Sequence, residues 1–442
     1  MSKLVGWVCA VMVWGAWGQA VAQADEMADL KASVTFLEAE LAKVHERIGK
    51  LESHPGASQP EDALQWRWKD GYRAETSDGA FKLRVRGRVN TDFSVSSDDD
   101  LASRVGGKVE DGAEIRRMIV GFEGTIYDRI NYEMNADLAG GVEVKDAFME
   151  MQELPYVGGV QIGHFKEPFS LDQLTSSNYG TFMERSIMDV FAPTRNVGIM
   201  LASPIVEDRM TWAAGVFRDT DDDTAEQGTS GGGEYNFTTR ITGLPWYEDK
   251  GARLLHLGAA YSRRSPNARS LRYRQRPQVH MSPRLVDTGT FTADSVDLFG
   301  QEAALIYGPL SLQGEFTTAL VDSDGTQSNP TFFGFYTYAS YFLTGEHRAY
   351  NKEAAAFTRL KPKHNFDPWG AEKGFGAWEV ALRYSSLDLS SNFVDGRELH
   401  TVTAGLNWYL NPNTRTMLNY VFADLEGPGH LNTVQTRFQI DF

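Results

Sequence analysis

The stretch Phe81 to Val95 reads FKLRVRGRVNTDFSV, and it decides the fold. Its bulky apolar residues take odd-numbered positions, and its cations Lys82, Arg84, Arg86 and Arg88 take even-numbered ones. Successive side chains of a strand point to opposite faces, so this strand has one apolar and one charged face. Four cations inside a soluble sandwich would be buried at high cost, whereas the wall of a water-filled barrel tolerates them. The alternative is a half-exposed edge strand of a soluble sheet.

The first 24 residues predict a secretory signal peptide. Lys3 gives the charged start, an apolar stretch follows, and small-x-small patterns place cleavage after Ala22 or Ala24. The single cysteine, Cys9, lies inside this segment, so disulfides and thiolate metal sites are not expected in the mature chain. No later stretch approaches the roughly 18 apolar residues of a membrane helix. An exported chain of this kind is periplasmic, secreted or an outer-membrane barrel.

The composition allows the barrel. Aromatic residues make up 12% of the chain and there are 42 glycines, which suits aromatic girdles and tight turns. The formal net charge of -16 argues against a nucleic-acid partner. It does not predict the charge of a pore, because local placement decides that.

A heptad seam follows the signal peptide. Its apolar residues are spaced alternately by four and three positions, at Leu30, Val34, Leu37, Leu41, Val44, Ile48 and Leu51. This spacing predicts a short parallel coiled coil over residues 25–54, and therefore an oligomer. The alternative is a lone amphipathic helix packed on the barrel. Residues 55–78 are expected to form a linker, and residues 79–442 the barrel.

About 16 segments of alternating polarity follow, an even number typical of bacterial barrels. Their expected bounds are 81–95, 115–127, 129–139, 143–153, 157–166, 196–203, 210–218, 234–246, 252–263, 297–307, 310–320, 332–343, 376–387, 399–410, 415–424 and 433–442. Long and short connections alternate, as expected for outer loops and periplasmic turns. The connection 344–375 is long where a short turn is due, so we expect it to fold inward. The fold class is thus all-β, a 16-stranded antiparallel transmembrane barrel preceded by a coiled-coil helix.

Arginines carry the candidate chemistry. Residues 261–286 hold seven arginines and no acid. Arg272, Arg274 and Arg276 would share one face of an extended chain, about 7 Å apart, as a ladder of guanidinium forks that can each donate to two anion oxygens. The alternative is an exposed basic loop that touches acidic lipid headgroups.

Arg116 and Arg117 open the second strand. Adjacent strand residues point to opposite faces, so both reach the lumen only if the strand starts or kinks there. Otherwise one of them lies at the rim. Arg88, on the inner face of the first strand, is a further candidate anion contact.

The sequence shows no motif that predicts an enzyme, a cofactor site or a metal site. The nine histidines have no paired spacing, no G-x-S-x-G is present, and no acidic spacing defines a metal site. Carboxylates on lumen faces, such as Glu123 and Glu133, are expected to pair with arginines.

The chain resembles the phosphate-selective porin O/P family from about residue 80 to its end. The most specific match is GHFKEPFSLDQLTSSNYGTFMER, Gly163 to Arg185. Further matches are YFLTGEHRAY (Tyr341 to Tyr350), GAWEVALRYS (Gly376 to Ser385) and GLNWYLN (Gly405 to Asn411). The resemblance implies a trimeric 16-stranded outer-membrane barrel with inward-folded loops and an arginine-lined path for anions.

The resemblance also implies site residues. The constriction pair resembles Arg116 and Arg117, the third constriction arginine resembles Arg185, and Ser176 and Asp146 match a serine and an acid of the binding zone. The run from Arg272 to Arg276 resembles the arginine ladder. One position departs, because Gln173 stands where a lysine is usual, so anion preference is firmer than phosphate selectivity.

The implied partners are phosphate or other small anions, two further copies of the chain, and outer-membrane lipid or lipopolysaccharide. The alternatives are a porin for another oxyanion or small acidic solute, and a plugged structural barrel. Arg437, on the inner face of the last strand, is expected to lie away from the inward loops.

Overall fold

The computed structural model describes residues 31, 34–46, 64–69, 71–98, 101–105, 108–155, 157–220, 235–323, 325, 328–370, 373–427 and 429–442. The chain divides into two units, residues 1–63 and residues 64–442. In the first unit, residues 34–46 form a helix. The expected signal peptide lies outside the described residues, as do the ends of the expected coiled coil. Among the described helices, none is long and apolar enough to cross a membrane.

The second unit is a closed barrel of sixteen long strands, each antiparallel to the next. The last strand pairs with the first, from Leu431 opposite Asp98 to Asp441 opposite Arg88. The strands are β1 Phe81–Asp98, β2 Gly112–Ile126, β3 Ile130–Asp137, β4 Glu143–Leu154, β5 Gly158–Lys166, β6 Arg195–Ile205, β7 Met210–Arg218, β8 Asn236–Glu248, β9 Arg253–Arg264, β10 Ser295–Tyr307, β11 Leu310–Asp322, β12 Thr331–Phe342, β13 Ala377–Ser391, β14 Val394–Asn411, β15 Thr414–Leu425 and β16 Gly429–Asp441. The 16-stranded barrel expected from the alternation is therefore confirmed.

The expected linker 55–78 is wrong in its second part. Gln65–Trp68 and Tyr72–Glu75 form a short hairpin, and its second strand pairs with the start of β1, Tyr72 opposite Val85. Residues 55–63 lie outside the described part of the chain. The hairpin extends the sheet because the first residues of β1 would otherwise leave an unpaired edge.

The alternation on β1 separates a wet face from a lipid face. Asn90 and Asp92 are buried inside the barrel, whereas Phe93 and Val95 are 47% and 63% exposed on the outside. Closure of the sheet removes any free edge, so the alternative of a soluble edge strand is wrong. An exposed apolar outer face is what a barrel in lipid presents.

The two ends of the barrel differ. The end that carries Phe81 and Phe442, here called the short-turn end, has tight connections apart from residues 343–376. The opposite end carries the third loop (residues 167–194) and the fifth loop (residues 265–294). The connections contain the short helices Leu101–Arg104 and Leu171–Leu174, the 3-10 turns Ile187–Phe191, Asp249–Gly251 and Asn267–Arg269, and the paired strands Ser270–Leu271 with Phe291–Thr292 and Arg274–Gln275 with Val286–Asp287.

The third and fifth loops fold into the barrel and form an apolar core with its wall. Phe169, Ile187 and Phe191 of the third loop are buried in one cluster with residues of the fifth loop and of the strands. The wall makes room for them. At Gly300 of β10, an added Cβ would lie 2.9 Å from the Phe169 ring. Because these loops are packed rather than solvated, the positions of their polar side chains are fixed.

The segment 343–376, here called the inward segment, enters the barrel from the short-turn end. Its strands Tyr350–Asn351 and Ala356–Phe357 pair with each other. The carbonyl of Ala355 accepts a hydrogen bond from Arg240 (2.9 Å), and the amide of Phe357 donates to the Thr175 hydroxyl of the third loop (3.4 Å). The expectation that this connection folds inward is confirmed.

Candidate functional site

A β-bulge turns two consecutive arginines into the lumen. Asn90 lies opposite Arg117 and Thr91 opposite Ile115, so Arg116 is an extra residue in β2. A bulge of this kind places two residues against one and kinks the strand. Both guanidinium groups line the same internal cavity, so neither arginine is a rim residue.

The third loop is held in the lumen by its polar groups. The carboxylate of Glu315, on β11, accepts the amide hydrogens of Leu171 (3.0 Å) and Asp172 (2.7 Å) at the start of the helix Leu171–Leu174. Ser170 caps the same helix by accepting from the Gln173 amide at 3.2 Å. The helix N-terminus is thereby satisfied, which fixes the loop against the opposite wall.

Arg185 holds the other end of that helix. It donates to the backbone carbonyls of Asp172 (2.9 Å), Gln173 (3.1 Å) and Thr175 (3.3 Å). Its guanidinium therefore shapes the loop as well as lining the cavity.

The cavity has a volume of about 230 Å³ and an excess of positive charge. Three carboxylates line it, and so do six arginines: Arg116, Arg117, Arg185, Arg276, Arg348 and Arg383. Among the described residues, only Arg116 of the six donates to a carboxylate within hydrogen-bond distance. The arginines thus leave a net positive field inside a chain whose formal net charge is -16.

Arg117 has unused hydrogen-bonding capacity in the cavity. Its Nη1 is buried and has no hydrogen-bond partner among the described residues. The neighbouring Arg116 is bonded at both ends of its fork, through Nε (3.0 Å) and Nη2 (3.1 Å), to the carboxylate of Glu184. A buried donor without a partner favours an incoming acceptor, because its desolvation is otherwise uncompensated.

Two carboxyls of the third loop have opposite electrostatic environments. Burial alone would raise the pKa of Glu184, but Arg116, Arg437 and Arg117 hold the pKa of that carboxyl well below its usual range. Burial raises the pKa of Asp189 to about 6, although Arg185 opposes the shift. Glu184 therefore keeps its negative charge in the cavity, whereas Asp189 loses its charge by protonation at mildly acidic pH.

Comparison with known proteins agrees with this architecture. The sequence profile of the family described as Phosphate-selective porin O and P matches residues 85–442. The chain belongs to this family. The family and the barrel fold both support a porin of the outer membrane.

Two curated relatives and three solved structures illustrate the relationship. An uncharacterized protein of Caulobacter vibrioides is 30% identical over 95% of this chain and 91% of its own length. Porin O of Pseudomonas aeruginosa is 26% identical over 80% of this chain and 86% of its own.

Among solved structures, the anion-selective porin of Comamonas acidovorans has a TM-score of 0.53 at 13% identity, over 82% of this chain and all of its own. The trimer form of OmpT of Vibrio cholerae has a TM-score of 0.51 at 10% identity, over 82% of this chain and 100% of its own. The channel DcaP of Acinetobacter baumannii has a TM-score of 0.51 at 12% identity, over 83% and 99%. These structures share the fold.

The site residues expected from the sequence do not all meet in the cavity. Arg116, Arg117, Arg185 and Ser176 line it. Arg88 anchors the third loop instead, since its Nη1 donates to Ser177 (2.9 Å) and Asn178 (2.7 Å). Asp146 does not line the cavity, and its carboxylate takes both ends of the Arg195 fork at 2.9 Å.

The arginines expected to form a ladder in the fifth loop do not all line the cavity. Short strand pairs hold this part of the loop, and the exposed Arg272 and Arg274 alternate with the buried Tyr273. Arg272 is bonded to Asp287 and is 43% exposed in its side chain. Arg274 is also exposed, and only Arg276 lines the cavity, where its Nε donates to the Ser282 carbonyl at 2.9 Å. The ladder as an anion path therefore stays a prediction, with Arg276 as its member in the cavity.

The expected isolation of Arg437 is also wrong. This side chain is fully buried and bonds Asp92 (2.6 and 2.7 Å), the Met183 carbonyl and Glu184 (2.7 Å). It joins β1, β16 and the third loop. The alternation placed it correctly on the inner face, but could not reveal that the third loop would reach it.

Two cavity arginines were not expected from the sequence. Arg348 comes from the inward segment, stacks at 3.6 Å on the Phe357 ring, and donates to Gln313 at 2.8 Å. Arg383 of β13 lies 4.3 Å from the Phe182 ring centre and donates to the Glu184 carbonyl at 3.0 Å. Both lie in motifs that resemble the family, which was the available signal.

The departure at Gln173 has a structural context. The Gln173 side chain is buried and does not line the cavity, and its backbone carbonyl accepts from Lys166 and Arg185. An ammonium group therefore lies beside position 173 even though the residue itself is neutral.

Proposed function

We propose that this porin is an anion-selective diffusion channel whose main solutes are phosphate and polyphosphate. The observation that carries the proposal is the cavity in which six arginines outnumber three carboxylates, and in which, among the described residues, only Arg116 is hydrogen-bonded to one of them. The family to which the chain belongs and the Porin O relative support phosphate as the first solute to test.

The arginine field would raise the local concentration of anions at the cavity. An oxyanion entering there would replace part of its hydration with the free N–H groups of Arg117 and the edges of the stacked arginines Arg348 and Arg383. Passage requires that each contact be weak enough to release the ion to the next. No energy source or catalytic step is involved.

Planar bilayers test the proposal. Under a potassium chloride gradient, the zero-current potential should have the sign of anion selectivity, and added phosphate should reduce the chloride current. A potential with the sign of cation selectivity would overturn it.

A second candidate is a porin for another oxyanion or a small acidic solute. The neutral Gln173 favours it, since a lysine is usual at this position. Stronger block of the chloride current by sulfate or by a small carboxylate than by phosphate would select this candidate. A plugged structural barrel, suggested by the packed loops, would instead give a conductance near zero.

We also propose a trimer, exported by the signal peptide over residues 1–24 and seated in lipopolysaccharide-containing membrane. The helix over residues 34–46 exposes an apolar seam, with Val34, Leu37, Leu41 and Val44 all about half exposed or more. A parallel coiled coil within residues 25–54 would cover this seam. Deletion of residues 30–51 should weaken the oligomer without unfolding the barrel. An equally heat-resistant trimer on gels would assign assembly to the barrels alone.

A further inference from the structure

Glu184 occupies the bonding edge that an oxyanion would use. Its carboxylate accepts both Nε and Nη2 of Arg116, at 3.0 and 3.1 Å, and also accepts Nη2 of Arg437 at 2.7 Å. A carboxylate and a phosphate oxygen pair present the same two-acceptor geometry to a guanidinium fork. A solute anion at Arg116 therefore has to compete with a residue of the protein.

The backbone keeps Glu184 in this position. The amide of Met183 donates to Asn419 (3.0 Å), the Met183 carbonyl accepts from Arg437, and the Glu184 carbonyl accepts from Arg383 (3.0 Å). These bonds tie the main chain at residues 183 and 184 to three strands of the wall. The Glu184 carboxylate is therefore held in the cavity.

The arginines around Glu184 differ in whether they are bonded to it. Arg117 keeps a buried Nη1 without a partner among the described residues, while Arg116 and Arg437 are bonded to Glu184. The charges nearest to the Glu184 carboxyl are these arginines, and they hold its pKa well below the usual range against the effect of burial. The competitor thus stays charged throughout the working pH range.

We propose that Glu184 is a resident competitor for solute anions, which keeps Arg116 occupied so that a passing oxyanion binds through Arg117 and is released quickly. The inference rests on the proposed anion selectivity. It assigns to Glu184 a specificity-determining role in the rate of passage, in addition to bracing the third loop. Weak, exchangeable contacts are what conduction requires.

The test is block of the chloride current by inorganic phosphate in planar bilayers. Glu184→Gln keeps the shape but removes the charge that holds Arg116, so the phosphate concentration for half block should fall about tenfold, the equivalent of one charge-assisted contact. Asp172→Asn is the matched comparison. Asp172→Asn removes a carboxylate from the same cavity. This carboxylate accepts a hydrogen bond from the Ser186 amide, so its loss frees no arginine fork.

Equal tightening in Glu184→Gln and Asp172→Asn would mean that charge alone matters and would overturn the proposal. So would block in Glu184→Gln that is unchanged or weaker than in the wild type. If Glu184→Gln does not insert, Glu184→Asp decides, because the shorter side chain loosens the grip on Arg116 and should also tighten block. Block no tighter than wild type in that variant would overturn the proposal.

The wild-type zero-current potential, recorded in the same membranes, separates the two proposals. Cation selectivity of the wild type would reject the proposed function, and with it this role of Glu184. Anion selectivity with no effect of Glu184→Gln would reject only the resident competitor.

Discussion

The inner face of β1 and the cavity at the β2 bulge both present arginines to the lumen, yet their arginines are in different states. On β1, Arg84 bonds Glu123 at 2.8 Å, and Arg86 bonds both Glu123 (2.8 Å) and Glu133 (2.5 Å). In the cavity, Arg117 has no carboxylate partner among the described residues. The face of a strand therefore decides which arginines can meet water, and the neighbouring strands and loops decide which ones remain available to an anion.

The largest expected effect is at Arg117. Arg117→Gln should weaken phosphate block roughly ten- to a hundredfold, since loss of a charge-assisted contact costs about 1.5–3 kcal/mol. The matched control is Arg84→Gln on β1, where Glu123 keeps its bond to Arg86, so block should change little. Half-block concentrations of phosphate measure both. Similar losses in the two variants would remove the distinction between paired and available arginines.

A smaller effect is expected when a paired arginine is released. Glu123→Gln should release one edge of Arg86, whose other edge stays bonded to Glu133, and should raise anion selectivity severalfold at low salt, where long-range attraction is least screened. Glu150→Gln removes the same charge from the lumen but frees no arginine, because Glu150 accepts from Asn131 and Gln152. The zero-current potentials of the two variants are the measurement, and equal shifts would show that only net charge matters.

The fifth loop should contribute mainly at long range. Replacing Arg272, Arg274 and Arg276 together by Ala should lower anion conductance more at 0.01 M than at 1 M salt, as the Debye length falls from about 30 to about 3 Å. Single-channel conductance over this salt range is the measurement. A loss that is independent of salt would point to a steric role for the loop.

The smallest effect is expected from pH. Asp189 has a pKa of about 6, raised by burial above the value of 3.8 that the unfolded chain has, so its charge is present at pH 7 and lost by pH 5. Lowering the pH should therefore raise anion selectivity. The stability of the folded protein should fall as the pH rises from 3.8 to about 6, because the buried carboxyl ionises less readily in the folded protein than in the unfolded chain. Arg185 lies 3.9 Å from the Asp189 carboxylate, and Lys166, Asp172 and Glu184 also act on it.

His280 lines the same cavity. The difference between the wild type and Asp189→Asn isolates the carboxyl, because His280 is present in both. Anion selectivity that follows pH identically in the two proteins would contradict the assignment to Asp189.

The alternation of polarity along the chain was enough to predict the barrel. All sixteen strands followed from alternation, because a wall between water and lipid forces a period of two on every strand and leaves no other pattern to confuse it. The sequence also indicated the inward segment, since a long connection occupied the place of a short turn. The sequence also showed that Arg116 and Arg117 could both face the lumen only if the strand started or kinked there, and the structure has a bulge at this point.

Which arginines share the cavity depends on contacts between distant parts of the chain. Arg348 enters from the inward segment, Arg383 from β13 and Arg276 from the fifth loop, so their neighbours are far apart in the chain. The same holds for Arg437, which the third loop reaches and buries, and for Arg272, which is bonded to Asp287. Strand periodicity is a local property, whereas the pairing of a buried charge depends on the groups that folding brings within hydrogen-bond distance.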